Sequence, residues 1–132
     1  PTFTLDEGDM EIGMGIHGEQ GTMRIGLQTA DEITEQLADA ILKDIDLSNS
    51  QVSVMVNSLG ATPLEELYIM YRHLLKVFGA HHIEVYRPYI GRFATSMEMT
   101  GASITVLKLD DELKRLLDAP ASSPFFDQAQ YV

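Results

Sequence analysis

Residues 51–90 constrain the fold more than any other stretch of this chain. Gln51-Val-Ser-Val-Met-Val-Asn57 puts β-branched residues at 52, 54 and 56, the alternation of a strand with one face buried. A loop, Ser58-Leu-Gly-Ala61, is followed by a helix start signal: Thr62 as N-cap, Pro63 in the first turn and Glu65 at the third position. Leu64, Leu67, Tyr71, Leu74, Leu75 and Phe78 then recur on one side, and Gly79 supplies a stop. Residues 83–90 alternate again through Ile83, Val85 and, less cleanly, Arg87 and Tyr89. A strand, a helix and a strand in this order define an α/β layer structure.

The flanking segments extend it. Residues 10–16 read as a short strand running into a glycine-rich loop at 17–21, and 22–28 as extended or irregular. Thr29-Ala-Asp-Glu32 is a capping box, in which side chain and backbone satisfy each other's orphan donors at a helix start. Ile33, Leu37, Ala40 and Ile41 carry the helix to about residue 43. One or two helical turns are predicted at 95–99 and a β-branched strand at 103–109. Asp110 caps a short helix to about residue 117, with acids first and Lys114 and Arg115 later, as the helix dipole favours. The segment 119–132, with two prolines, reads as an irregular tail. The expectation is one domain over 1–132 with at least four strands and a core at about 10–120, a normal size for a single domain.

Charge and cysteine content narrow the function. Twenty Asp and Glu against nine Lys and Arg leave a net charge of −11, with the cations scattered, which disfavours nucleic acid and anionic membranes as partners. No cysteine is present, so disulfides, thiolate metal sites and a cysteine nucleophile are excluded, in keeping with a cytoplasmic protein. No apolar run approaches the roughly 20 residues needed to span a bilayer, and 1–9 lack a signal peptide's apolar stretch.

Gly13-Met-Gly15-Ile-His-Gly18 spells the dinucleotide fingerprint G-x-G-x-x-G, but the fingerprint requires a helix opening at its third glycine. Here the next helix start is Thr29, and Asp39, at the distance of the usual ribose ligand, lies inside that helix. No cofactor site follows. His17 leaves two readings open: an incidental loop histidine, or a base or nucleophile framed by glycines at 13, 15, 18 and 21, which let a ligand approach closely. His73 sits among apolar helix positions and reads as packed or half-exposed. His81 and His82 are adjacent and would point to opposite faces of a strand, so a zinc site uniting them with His17 is disfavoured and no metal site is assigned. Asn57-Ser-Leu-Gly60-Ala-Thr62-Pro63 lacks the Gly-Lys-Ser/Thr of a P-loop and reads as a capped turn. Asp110-Asp111-Glu112 is accounted for by its helix start.

Together and in this order, MEIGMGIHGEQG, VNSLGATPLEELYIMYRHL and IGRFATSMEMTGASITVLKLDDELKRLLDAP resemble the C-terminal half of DhaK-type dihydroxyacetone kinase subunits, from about Met10 to Pro120. The resemblance implies a two-layer α/β domain with a mixed sheet covered by helices, the second domain of the DhaK/DegV-like fold. It implies that His17 attacks the carbonyl carbon of dihydroxyacetone to give a covalent hemiaminal, after which a terminal hydroxyl is phosphorylated. The donor would be ATP, or the ADP-bearing DhaL-type partner subunit fed by the phosphoenolpyruvate phosphotransferase system; this domain itself would bind no cofactor. Further implied partners are the subunit's own N-terminal domain, which carries the acid–base groups, and a second copy in a homodimer. The absence of a starting Met fits a piece of such a subunit, and the fragment alone is expected to be inactive. Gln20, Leu117 and Ala102 stand where the family commonly has Pro, Trp and Phe. These departures keep a second family role in view, a non-catalytic dihydroxyacetone sensor that co-activates transcription.

Overall fold

The computed structural model describes residues 4–15 and 19–130. The central element is strand β3 (Gln51–Gly60). It pairs in parallel with β4 (Glu84–Gly91) and antiparallel with β5 (Thr100–Lys108), giving a mixed three-stranded sheet in the order β4-β3-β5. Helices α1 (Ala30–Asp44) and α2 (Leu64–Ala80) pack against one face of it. The α/β layering is as the sequence pattern predicts, and the mixed sheet is as the family resemblance implies.

The alternation in β3 explains its place. Val52, Val54 and Val56 are at most 1% exposed, and they meet Leu67, Leu74 and Phe78 of α2 and Ala38 of α1. Val85 and Ile90 of β4 and Ala102, Ile104 and Val106 of β5 widen the same apolar floor. On the second face, Tyr89, Phe93 and Phe126 form a ring cluster with centroids 6.0–6.3 Å apart. Such spacing suits edge-on aromatic contact.

Helix starts largely follow the sequence rules. Thr29 caps α1 by the expected capping box with Glu32. Asp110 caps α3 (Asp111–Asp118) by accepting the Leu113 N–H at 2.8 Å. At α2 the start is one residue later than predicted: Pro63 occupies the cap position in extended conformation, without a side-chain cap bond. The Thr62 carbonyl instead accepts the Ser58 hydroxyl at 2.7 Å. Nor is Gly79 the stop, because α2 runs through it to Ala80. The chain turns out at His82, whose φ of 55° is left-handed, while the His81 and Ile83 N–H groups both donate to the Phe78 carbonyl. His81 and His82 thus lie in this turn, before β4 and not within a strand.

Three further expectations change. Residues 58–60 continue β3 where a loop was predicted, because β5 pairs with them out to Gly60↔Thr100. Residues 95–99 are irregular, with a bend at 97–98, and form no helical turn. The tail is not irregular throughout: β6 (Ala121–Ser123) and β7 (Phe126–Gln128) make a hairpin. Gln128 ties it down by donating to the carbonyls of Leu117 and Ala119. The first strand lies outside the central sheet, in an antiparallel ribbon of β1 (Asp9–Ile12) and β2 (Met23–Gly26).

Polar side-chain contacts join the two helices. Arg72 of α2 donates to Asp31 of α1, and His73 Nε2 meets Glu35 Oε2 at 2.5 Å, with Nδ1 at 3.3 Å from Asp31 but not aligned for a hydrogen bond. The Arg72 hydrogen bond holds the Asp31 carboxyl below its ordinary value, against a smaller opposing effect of burial. A depressed carboxylate adds stability above its ordinary pKa and loses it as pH falls through the lower folded value. Acid melting of Arg72→Met should accordingly be flatter with pH than that of the wild type in this range. Gly79→Ala, with open space around the new methyl and no positive φ, should stabilise by about 0.5–1 kcal/mol in denaturant unfolding.

Candidate functional site

The ribbon β1–β2 carries the glycine-rich loop, and its stem is described on both sides of residues 16–18. His17 itself lies outside the described residues. Thr22 donates from its backbone to the Ile12 carbonyl at 2.8 Å and from its hydroxyl to the same oxygen at 3.2 Å. Further out, the Gly15 N–H donates to the Glu19 carbonyl at 3.0 Å, bracketing 16–18. Between these two bonds the Gly21 N–H donates to Glu11 Oε1. Gly21 cannot carry a side chain, since a Cβ there would stand 2.6 Å from the Ile12 carbonyl oxygen and from Glu11 Cγ. The element after the loop is the strand β2, not the helix that follows a dinucleotide fingerprint.

A second loop system forms at the carboxyl ends of β3 and β4. Asn57 is 1% exposed and lies near the end of β3. Its Oδ1 accepts the N–H groups of Phe93 and Ala94 at 2.8 and 3.1 Å; its Nδ2 donates to the Ala94 carbonyl at 2.6 Å and to Ser103 Oγ at 3.3 Å. Gly60 donates to Thr95 Oγ1 at 2.9 Å, Ala61 donates to the Met99 carbonyl at 2.8 Å, and Arg92 donates to the Gly60 carbonyl. Gly60 has φ +79°, and a Cβ there would fall 2.0 Å from the Met99 carbonyl oxygen. Only glycine lets the two loops approach so closely. An open cleft of about 360 Å³ lies beside them, lined by Ser58, Thr62, Leu64, Leu67, Ile90 and Arg92. The cleft lies at the carboxyl ends of the parallel pair β3 and β4, the end of open α/β sheets where ligands generally gather.

His81 and His82 lie in the turn before β4, and His73 lies on α2. His73 is engaged between the helices, and no group of three or more His, Asp or Glu side chains suited to a metal occurs among the described residues. No helix among the described residues is long and apolar enough to cross a membrane.

Comparison with known proteins decides the family. The Dak1 domain matches residues 1–125. This chain belongs to the Dak1 family. It is similar to the dihydroxyacetone-binding subunit DhaK of PTS-dependent dihydroxyacetone kinase 2 from Listeria innocua, 41% identical over 94% of the chain and 38% of that protein. It is also similar to the L-erythrulose kinase of Pectobacterium atrosepticum, 40% identical over 96% of the chain and 22% of that protein. Among solved structures, the dihydroxyacetone kinase operon co-activator Dha-DhaQ matches with a TM-score of 0.82 at 27% identity, over 90% of the chain and 38% of that one. The chain thus spans between about a fifth and two-fifths of these relatives.

In this Dak1 domain the motifs NSLGATP and ATSMEMTG interlock through the pairs Gly60–Thr95 and Asn57–Ala94, which are 35 and 37 residues apart in sequence. In sequence the first motif reads as a capped turn, and Asn57 shows only as a polar residue ending an otherwise apolar alternation. Glu11 carries no sequence signal, because its partners lie across a loop of unspecified register. Asn57→Ala would leave the Phe93 and Ala94 N–H groups without their acceptor. A loss of about 2–4 kcal/mol is expected in denaturant unfolding. Gly60→Ala should also destabilise, by about 2 kcal/mol or more, through the left-handed φ and the Met99 clash.

Proposed function

We propose that this domain captures dihydroxyacetone for a dihydroxyacetone kinase, with His17 as the covalent substrate anchor. The observation that carries the reading is the Dak1 match over 1–125, together with close similarity to a protein named as a dihydroxyacetone-binding subunit. The described loop stem supports it. A glycine-rich segment closed by hydrogen bonds at Gly15–Glu19, Gly21–Glu11 and Thr22–Ile12 is a suitable frame for a side chain that a ligand must approach closely.

The chemistry follows from the imidazole. The lone pair of an unprotonated ring nitrogen forms a bond to the carbonyl carbon, and the carbonyl π pair moves onto oxygen. That oxygen gains a proton while the ring's N–H proton is lost, so ketone plus imidazole gives hemiaminal with no leaving group and no oxidant. Glycerol has the same hydroxyls but no carbonyl, so it is refused. L-Erythrulose shares the hydroxymethyl ketone end, so small hydroxyketones as a class fit the step. A terminal hydroxyl of the captured ketone would then take a phosphoryl group from ATP or from an ADP-bearing DhaL-type subunit. The acid–base groups would come from the protein's own N-terminal domain, and the working unit would be a cytoplasmic homodimer. No metal or cofactor is assigned to the domain itself.

The likeness to the co-activator Dha-DhaQ favours a second reading, a ketone sensor without phosphoryl transfer. Both readings are tested on the full-length protein with carbonyl-labelled dihydroxyacetone. Native mass spectrometry should show one added ketone per chain, and the labelled carbon should move from the trigonal to the tetrahedral range in carbon NMR. His17→Ala should abolish both signals, and glycerol should give neither. An adduct that survives His17→Ala would contradict the assignment. Phosphate transfer from ATP or a DhaL-type partner then selects the kinase, and its absence with both selects the sensor.

A further inference from the structure

Glu11 is an unusual residue for a two-stranded ribbon. Its side chain is only 6% exposed, although β1 and β2 form a sheet of their own and the opposing Arg24 side chain is 45% exposed. A nearly buried carboxylate is costly unless it is paired and hydrogen-bonded. Both conditions are met: Oε1 accepts the Gly21 N–H at 2.5 Å, and Oε2 lies 3.6 Å from the guanidinium of Arg24, its register partner across the ribbon.

The Gly21 bond reaches from the strand into the loop. Backbone bonds and the Thr22 hydroxyl close the loop at its base or bracket 16–18. A segment with glycines at 13, 15, 18 and 21 loses much backbone freedom when it takes one shape. A charged acceptor supplied by a strand limits that freedom before any ligand arrives, and hydrogen bonds to charged groups are among the stronger ones. The fit is close: the place of a Gly21 Cβ is taken up by Glu11 Cγ at 2.6 Å and Oε1 at 2.8 Å.

We infer that Glu11 is a positioning residue for ketone capture, a latch that holds the stem of the His17 loop in its binding-competent shape. This rests on the reading of His17 as the anchor. If only a fraction of molecules hold the competent loop, the apparent dissociation constant rises by the inverse of that fraction. Removing the latch therefore weakens capture without touching the ketone.

The test compares wild type, Glu11→Ala and Glu11→Gln in the full-length protein. Adduct formation is titrated with carbonyl-labelled dihydroxyacetone, exchange of the Gly21 amide proton is followed by NMR, and each melting temperature is recorded. Glu11→Ala should weaken adduct formation about 10- to 100-fold and speed Gly21 exchange, with the main melting transition little changed, since the α1–α2–β3 core is separate. Glu11→Gln keeps an acceptor oxygen for Gly21 and should recover most of the affinity. Adduct formation by Glu11→Ala within about 2-fold of wild type, or Glu11→Gln as poor as Glu11→Ala, would overturn the inference while leaving ketone capture intact. A wild type that forms no adduct, with Gly21 exchange still slowed by Glu11, would overturn ketone capture and the inference together.

Discussion

The burial of strand β3 is the constraint on which the rest of this domain depends. It is hydrogen-bonded along both edges, in parallel on one side and antiparallel on the other, and its three core valines are shielded by α2 and α1. A parallel neighbour cannot be reached by a tight turn, so the chain must cross over, and α2 is that crossover. The antiparallel neighbour β5 then returns along the other edge, and its last residues lead into α3. The loops that follow β3 and β4 inherit their positions from this arrangement. Asn57 is held by the buried strand, so its amide presents a fixed pattern of donors and acceptors to the segment that follows β4.

The β1–β2 ribbon obeys a different logic. It has too little apolar surface to be ordered by a core of its own, and a two-stranded ribbon is marginal in isolation. Its definition comes from polar bonds across the loop stem, among which the Glu11 carboxylate is nearly buried. A loop framed in this way combines glycine backbone, which leaves room for a ligand, with a fixed stem, which limits the disorder that ligand binding would otherwise have to remove.

How much of this was legible depended on whether the information was local. The capping box at Thr29, the aspartate cap at Asp110 and the 52–54–56 alternation are local, and α1, α3 and β3 follow them. Contacts distant in sequence were not legible: Gly60 reads as a loop glycine until β5 is seen pairing beside it, and Gly79 reads as a stop although the left-handed turn falls at His82. The β6–β7 hairpin was hidden because its support comes from Gln128 and from rings on the sheet's second face, not from its own pattern. For the site, the motif order around GIHGE pointed to the family. Glu11 was not legible and Asn57 showed only as a break in the apolar alternation, because a polar residue within a strand gains its meaning from the partners it meets.

The central claim is that a ring nitrogen of His17 becomes bonded to the ketone carbon. One-bond coupling between nitrogen-15 in the His17 ring and carbon-13 at C2 of bound dihydroxyacetone measures that bond directly. The account predicts a split, tetrahedral carbon signal when histidine is labelled, collapsing to a single line without the nitrogen label. Saturating ketone binding with a trigonal carbon and no coupling would contradict it.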